Sequence, residues 1–108
     1  MDRLTISNAL QSLESEKEPF KELFRHGSLN IEIYKPNSVD LQQPHSRDEI
    51  YVVAYGSGFF VNGESRERFE KGEVLFVPAG TEHRFEDFSD DFSTWVFFYG
   101  PEGGETNT

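Results

Sequence analysis

From Pro19 to Gly100 the chain is cut into short runs by Gly, Pro and polar turn residues, and within those runs polar and apolar side chains alternate. A period of two suits half-buried β-strands and does not match the 3.6-residue repeat of a helix. "FKELFRHG" and "SLNIEIYKP" meet at His26-Gly27, a turn pair. Leu29, Ile31 and Ile33 fall on one face of the second run, while Asn30, Glu32 and Tyr34 fall on the other. Asn62-Gly63 separates two alternating segments and is the strongest hairpin signal in the chain. "EIYVVAY", "EVLFVP" and "STWVFFYG" supply further strands, the second stopped by Pro78. About seven strands at spacings of roughly 8–12 residues predict an all-β sandwich or barrel.

Residues 5–17 break this pattern. Thr5 or Ser7 can cap a helix whose apolar positions are Ile6, Leu10 and Leu13, a spacing that predicts a short amphipathic helix. The tail "PEGGETNT" is polar and Gly-rich. The organisation expected is a helical extension over 1–18, a barrel over 19–100 and a disordered tail over 101–108.

The chain's 108 residues suit one domain. With no Cys there is no disulfide, and an oxidising compartment is not required. Twenty Asp and Glu against ten Lys and Arg give a net charge of −10, which repels phosphate backbones and argues against nucleic-acid binding. No run of apolar residues is long enough to span a bilayer, and the charged N-terminus is unlike a signal peptide. A cytoplasmic protein without a membrane partner is expected.

The chemistry concentrates in "PHSRDEIYVVAYGSG", where ionisable groups run directly into an apolar strand. If the chain is extended through 43–51, Gln43, His45, Glu49 and Tyr51 project to one side. An imidazole and a carboxylate inside a barrel are costly to bury unpaired. A divalent cation satisfies both at once. His83 in "PAGTEHRF" is the candidate third ligand. Two imidazoles and a carboxylate suit iron(II) or zinc, with nickel or manganese as further options. Tyr51 and Phe85 share the parity of Glu49 and His83, so each lines a pocket or packs in the core. His26 reads as a turn residue, and Arg47 and Arg84 have the outward parity.

These residues carry a resemblance. The cupin signature is G-x5-H-x-H-x3,4-E-x6-G, then G-x5-P-x-G-x2-H-x3-N. "NSVDLQQPHSRDEIYVVAYG" is similar to its first half, with His45, Glu49 and Gly56 in place. "GEVLFVPAGTEHRFED" is similar to the second, with Gly72, Pro78, Gly80 and His83 in place. Three positions depart from the pattern: Asn37 stands for the first Gly, Asp87 for the closing Asn, and Gln43 for the first metal histidine. The resemblance implies a double-stranded β-helix (jelly-roll) barrel with a short N-terminal helix outside it. It implies a metal held by His45, Glu49 and His83, with Gln43 as a weak ligand or a polar neighbour. It further implies a homodimer and a pocket for a small organic molecule. Dioxygenase and sugar or keto-acid isomerase chemistry both follow from the resemblance, with Tyr51 or Gln43 as the proton-relaying or orienting group. Non-catalytic binding of a ligand or metal is the alternative.

Overall fold

A computed structural model describes residues 3–106. One helix, α1 (Ile6–Leu13), precedes eight strands: β1 (Phe20–His26), β2 (Leu29–Tyr34), β3 (Asp48–Tyr55), β4 (Ser57–Asn62), β5 (Ser65–Glu70), β6 (Val74–Val77), β7 (His83–Glu86) and β8 (Ser93–Tyr99). The strands form a five-stranded sheet, β1-β2-β8-β3-β6, and a three-stranded sheet, β5-β4-β7, with every pairing antiparallel. The architecture is the expected all-β jelly-roll with one short helix.

The two sheets share one core. Tyr51 and Val53 of β3 meet Phe60, Phe69 and Phe85 of the smaller sheet, and Phe92 completes the cluster. The aromatic rings interlock at tilted and edge-on angles, with Phe85 4.6 Å from Phe92 and 4.7 Å from Phe60 between centroids. Such pairs add roughly 0.5–1.5 kcal/mol each beyond the area they bury.

Gly56 alone turns the chain from β3 into β4, and so from one sheet into the other. Its φ is 90°, and a Cβ there would lie 2.6 Å from the Cα of Phe92. Only glycine meets both conditions, which accounts for its place at the end of the first motif. Of the three positions that depart from the signature, Asp87 is itself left-handed (φ 49°), and beside Asn37 the left-handed residue is Ser38 (φ 68°).

Helix α1 is capped by Thr5, whose side-chain oxygen accepts the Asn8 N–H at 3.2 Å. Its apolar face, with Ala9 and Leu13 buried, packs on Ile33 and Trp95. This settles which way β2 faces. The apolar row that includes Ile33 lies outward beneath the helix, while Tyr34 joins the main core and Glu32 lines the interior cavity. The polar row of β2 is therefore the inward one.

The C-terminal segment, expected to be disordered over 101–108, is placed against the barrel as far as it is described. The Gly103 N–H donates to the Ser46 carbonyl at 2.6 Å, and the Glu105 N–H to Asp48 Oδ2 at 2.8 Å. Gly103 and Gly104 hold the positive φ values that this return requires. Residues 107 and 108 lie outside the described part. No helix among the described residues is long and apolar enough to cross a membrane.

Candidate metal centre

His45, Glu49 and His83 converge, and one ligand atom from each lies within 4.8 Å of the others. Two hydrogen bonds bring the distant motifs together. The Gly80 N–H donates to the His45 carbonyl at 2.7 Å, and the Ala79 N–H to Asp48 Oδ1 at 3.0 Å. The turn leading into β7 is thus fastened to the segment leading into β3, so His83 enters the barrel opposite Glu49. Asp48 is held below the usual carboxylate range by these backbone donors from Glu105 and Ala79.

The electrostatics of the cluster call for a cation. Glu49 is 1% exposed and His83 2%. His83 Nδ1 sits 2.9 Å from the Thr81 carbonyl, which can only accept, so Nδ1 carries the hydrogen. In the neutral ring Nε2 is then a bare lone pair. It stands 3.1 Å from Glu49 Oε1, yet the two are not aligned as a hydrogen bond and neither has another partner. Two buried acceptors facing each other repel unless positive charge lies between them. Burial pushes His83 down, but Glu49 and the Thr81 carbonyl outweigh it and the net shift is upward. A proton is one cation that fits; a divalent metal, coordinated by the same lone pairs, is another. The donor set matches what a metal of this class takes.

His45 approaches from the mouth. Its Nε2 lies 4.0 Å from Glu49 Oε2 and 3.3 Å from Gln42 Oε1. Burial lowers its pKa, with Glu49 opposing and His83 reinforcing, so its ring stays neutral and available as a ligand. The ring meets Phe98 edge-on at 4.9 Å.

The glutamine at the site is Gln42. Gln43, expected to share the face of His45 and Glu49, is exposed, whereas Gln42 is half-buried. Gln42 Oε1 accepts from the Tyr51 hydroxyl at 2.8 Å, and its Nε2 donates to Asp40 Oδ2 at 2.8 Å. The physical reason is that β3 begins only at Asp48. Upstream the chain is irregular, so strict alternation does not extend back to residue 43. Tyr51 has no exposed surface and its ring belongs to the core. Burial raises its pKa well above the usual value, so it stays a neutral phenol.

Asp40 is the member of this network that sequence reasoning missed. It is buried, and Oδ2 accepts the backbone N–H of Phe85 at 2.8 Å as well as the Gln42 amide. Tyr34 donates its hydroxyl to Oδ1. A lone Asp in "PNSVDLQQP" gives no pattern to find it by. His26 ends β1 on the surface, Arg47 donates to the Ser28 carbonyl and to Asn30, and Arg84 pairs with Glu82 and Glu86. Phe85 packs in the core.

The cluster opens on a cavity of about 560 Å³, to which His45 and Glu49 contribute along with Glu32, Leu41, Val96 and Phe98. A second cavity of about 570 Å³ lies between α1 and the Pro36–Ser38 turn and contains none of the three clustered residues.

Comparison with known proteins agrees with this architecture. The cupin domain family matches residues 30–99. A protein of Streptomyces coelicolor is 30% identical over 99 residues, covering 86% of this chain and 94% of that one. The crystal structure of protein NMB1881 from Neisseria meningitidis superimposes with a TM-score of 0.71 at 16% identity, covering 92% of this chain and all 100% of its own. A cupin-2 domain protein from Shewanella frigidimarina gives 0.68 at 15% identity, with 90% and 95% covered. The chain belongs to the cupin domain family.

Proposed function

We propose that the protein holds one divalent metal with His45, Glu49 and His83 and takes a small organic molecule in the adjoining cavity. The observation that carries this reading is the buried, unpartnered pair of His83 Nε2 and Glu49 Oε1 at 3.1 Å. When bound, such a metal supplies Lewis acidity, and iron supplies redox capacity, at positions that three protein ligands leave open. The chain's own residues do the rest. The Thr81 carbonyl fixes the His83 tautomer, and Gln42, held by Tyr51 and Asp40, stands beside His45 Nε2. Phe98, Val96 and Leu41 give the cavity apolar walls.

Two His and one carboxylate suit iron(II), and with it an oxygenase, and they equally suit zinc, which would support an isomerase. A non-catalytic binding protein is the second reading. It is favoured by Tyr51, whose hydroxyl is engaged with Gln42 rather than free for proton transfer. Gln43, being exposed, takes no part in either reading. Oxygen uptake by iron(II)-loaded protein across a panel of thiols, diketones and phenols separates the oxygenase from the others. Uptake abolished by Glu49→Ala supports the oxygenase; no uptake with a fully metal-loaded protein supports the isomerase or the binder.

A homodimer also fits. Val74 and Phe76 on β6, the edge of the larger sheet, are 66% and 48% exposed. Phe76 pairs across the sheet with Ile50, and Ile50 with Phe97, extending an apolar outer row that α1 does not cover. Twice 12.4 kDa by light scattering, returning to the single value in Phe76→Asp, is the expected result.

A further inference from the structure

The cavity beside the cluster has a one-sided charge. Its ionisable lining is Glu18, Glu32, Tyr34, Glu49 and His45, with no Lys or Arg among the described residues. Glu49 is buried and unpartnered there, so the space is built to receive something positive. A divalent metal on His45, Glu49 and His83 would satisfy Glu49 and leave the other two carboxylates untouched.

Glu32 is the informative one. It sits on the inward row of β2, half-buried, and makes no hydrogen bond or ion pair with any described side chain. The nearby Arg25 is committed elsewhere, to Glu22 at 2.9 Å. Burial raises the pKa of Glu32, followed by the charges of Glu22 and Glu49, with Arg25 opposing. A half-buried carboxylate in a negative cavity gains most from a cationic partner, because the same low polarity that penalises it alone strengthens an ion pair. β2 and β3 are separated by β8 alone, so Glu32 and Glu49 stand on strands roughly 10 Å apart across two interstrand spacings. That is the length of a small molecule with a metal-binding group at one end and a charge at the other. Between them lie Val96 and Phe98, and Phe20 and Leu41 also line the space.

We propose that the ligand of this cavity carries an ammonium group, which Glu32 pairs with while an apolar body lies against Phe98, Val96 and Leu41. This rests on the reading of the cavity as the ligand pocket and narrows that reading to a chemical class, small apolar amines. Phosphates and carboxylates meet only like charge here apart from a bound metal, and a neutral alcohol leaves Glu32 unpaired.

Three probes of matched shape test it: phenethylamine, 2-phenylethanol and 3-phenylpropionate. Each is titrated into the protein by NMR, with and without zinc, and metal content is measured separately. The amine should bind at least about tenfold tighter than the alcohol, and the carboxylate most weakly. Glu32→Gln should bring the amine to the level of the alcohol while metal content stays the same. Glu32→Asp should restore part of the preference, which a misfolded cavity would not. Glu18→Gln should leave most of it intact. The proposal is overturned if the carboxylate binds as well as the amine, or if no amine binding is measurable at millimolar concentration. It is likewise overturned if the preference survives Glu32→Gln, or if Glu18→Gln removes as much of it. A cation preference in a protein that takes up no metal defeats the metal reading alone; metal uptake without the preference defeats this one alone.

Discussion

The two halves of the barrel interior are built from the same strands and could hardly differ more. Along the inward row of β3 the side chains run Glu49, Tyr51, Val53, and along β7 they run His83, Phe85. Two residues of travel on either strand pass from buried ionisable groups to a dry aromatic core. Tyr51 marks the border, its ring edge-on to Phe85 at 4.9 Å and its hydroxyl on Gln42 at 2.8 Å. The aromatic half is satisfied by contact alone. The ionisable half keeps two acceptors without partners, so it is stable only to the extent that the rest of the fold holds it. One half supplies stability; the other is the half proposed to hold a metal.

The largest effect should come from the aromatic half. Phe85→Ala removes a ring that touches four others and should cost about 3–5 kcal/mol in denaturant unfolding. In the ionisable half the effect should be much smaller. Glu49→Leu removes a buried carboxylate whose Oε1 has no hydrogen-bond partner, so with His83 neutral the metal-free variant should be about as stable as the parent. The same variant should fail to retain metal. A loss of stability comparable to that of Phe85→Ala would make Glu49 a structural group and erase the contrast.

Much of this division was legible in the sequence, and the omissions share a cause. His45, Glu49 and His83 stood out because the spacing of two motifs specifies them without reference to local conformation. Parity then placed Tyr51 on the same side as Glu49, correctly within β3, and was carried back to Gln43, where the chain is no longer a strand. A shift of one residue makes Gln42 the inward amide. For β2, parity separated Glu32 from Ile33 correctly, but an apolar row is ordinarily taken as the core-facing one. Helix α1 supplies a second apolar surface, and only the packed structure shows which row it claims. Asp40 was hidden because its partners, Tyr34, Gln42 and the Phe85 N–H, are assembled by the fold.

A smaller effect follows from the border. Gln42→Ala leaves the Tyr51 hydroxyl without its acceptor and removes the oxygen that competes with a metal for His45 Nε2, so competition titration should show a metal affinity equal to or slightly above that of the parent, with the fold unaltered. Gln43→Ala, one residue along and exposed, should leave affinity unchanged.

The smallest effect lies on the outward row of β7. Arg66 and Arg84 hold Glu86, at 2.8 and 2.6 Å, below the ordinary glutamate range. The contribution of Glu86 is therefore present above that range and is lost as the pH falls through its lowered value. Glu86→Gln should slightly flatten the acid limb of a stability–pH curve, and added salt should do the same to the parent protein.

The unpartnered pair in the ionisable half is proposed to hold a divalent metal. Anomalous diffraction from crystals grown with iron(II) or zinc, recorded at the metal edge, tests it most directly. The account predicts one peak per chain, about 2.0–2.2 Å from His83 Nε2 and from an oxygen of Glu49, absent in His83→Ala. No peak at this position, or an unchanged His83–Glu49 contact in crystals whose metal sits elsewhere, would contradict it.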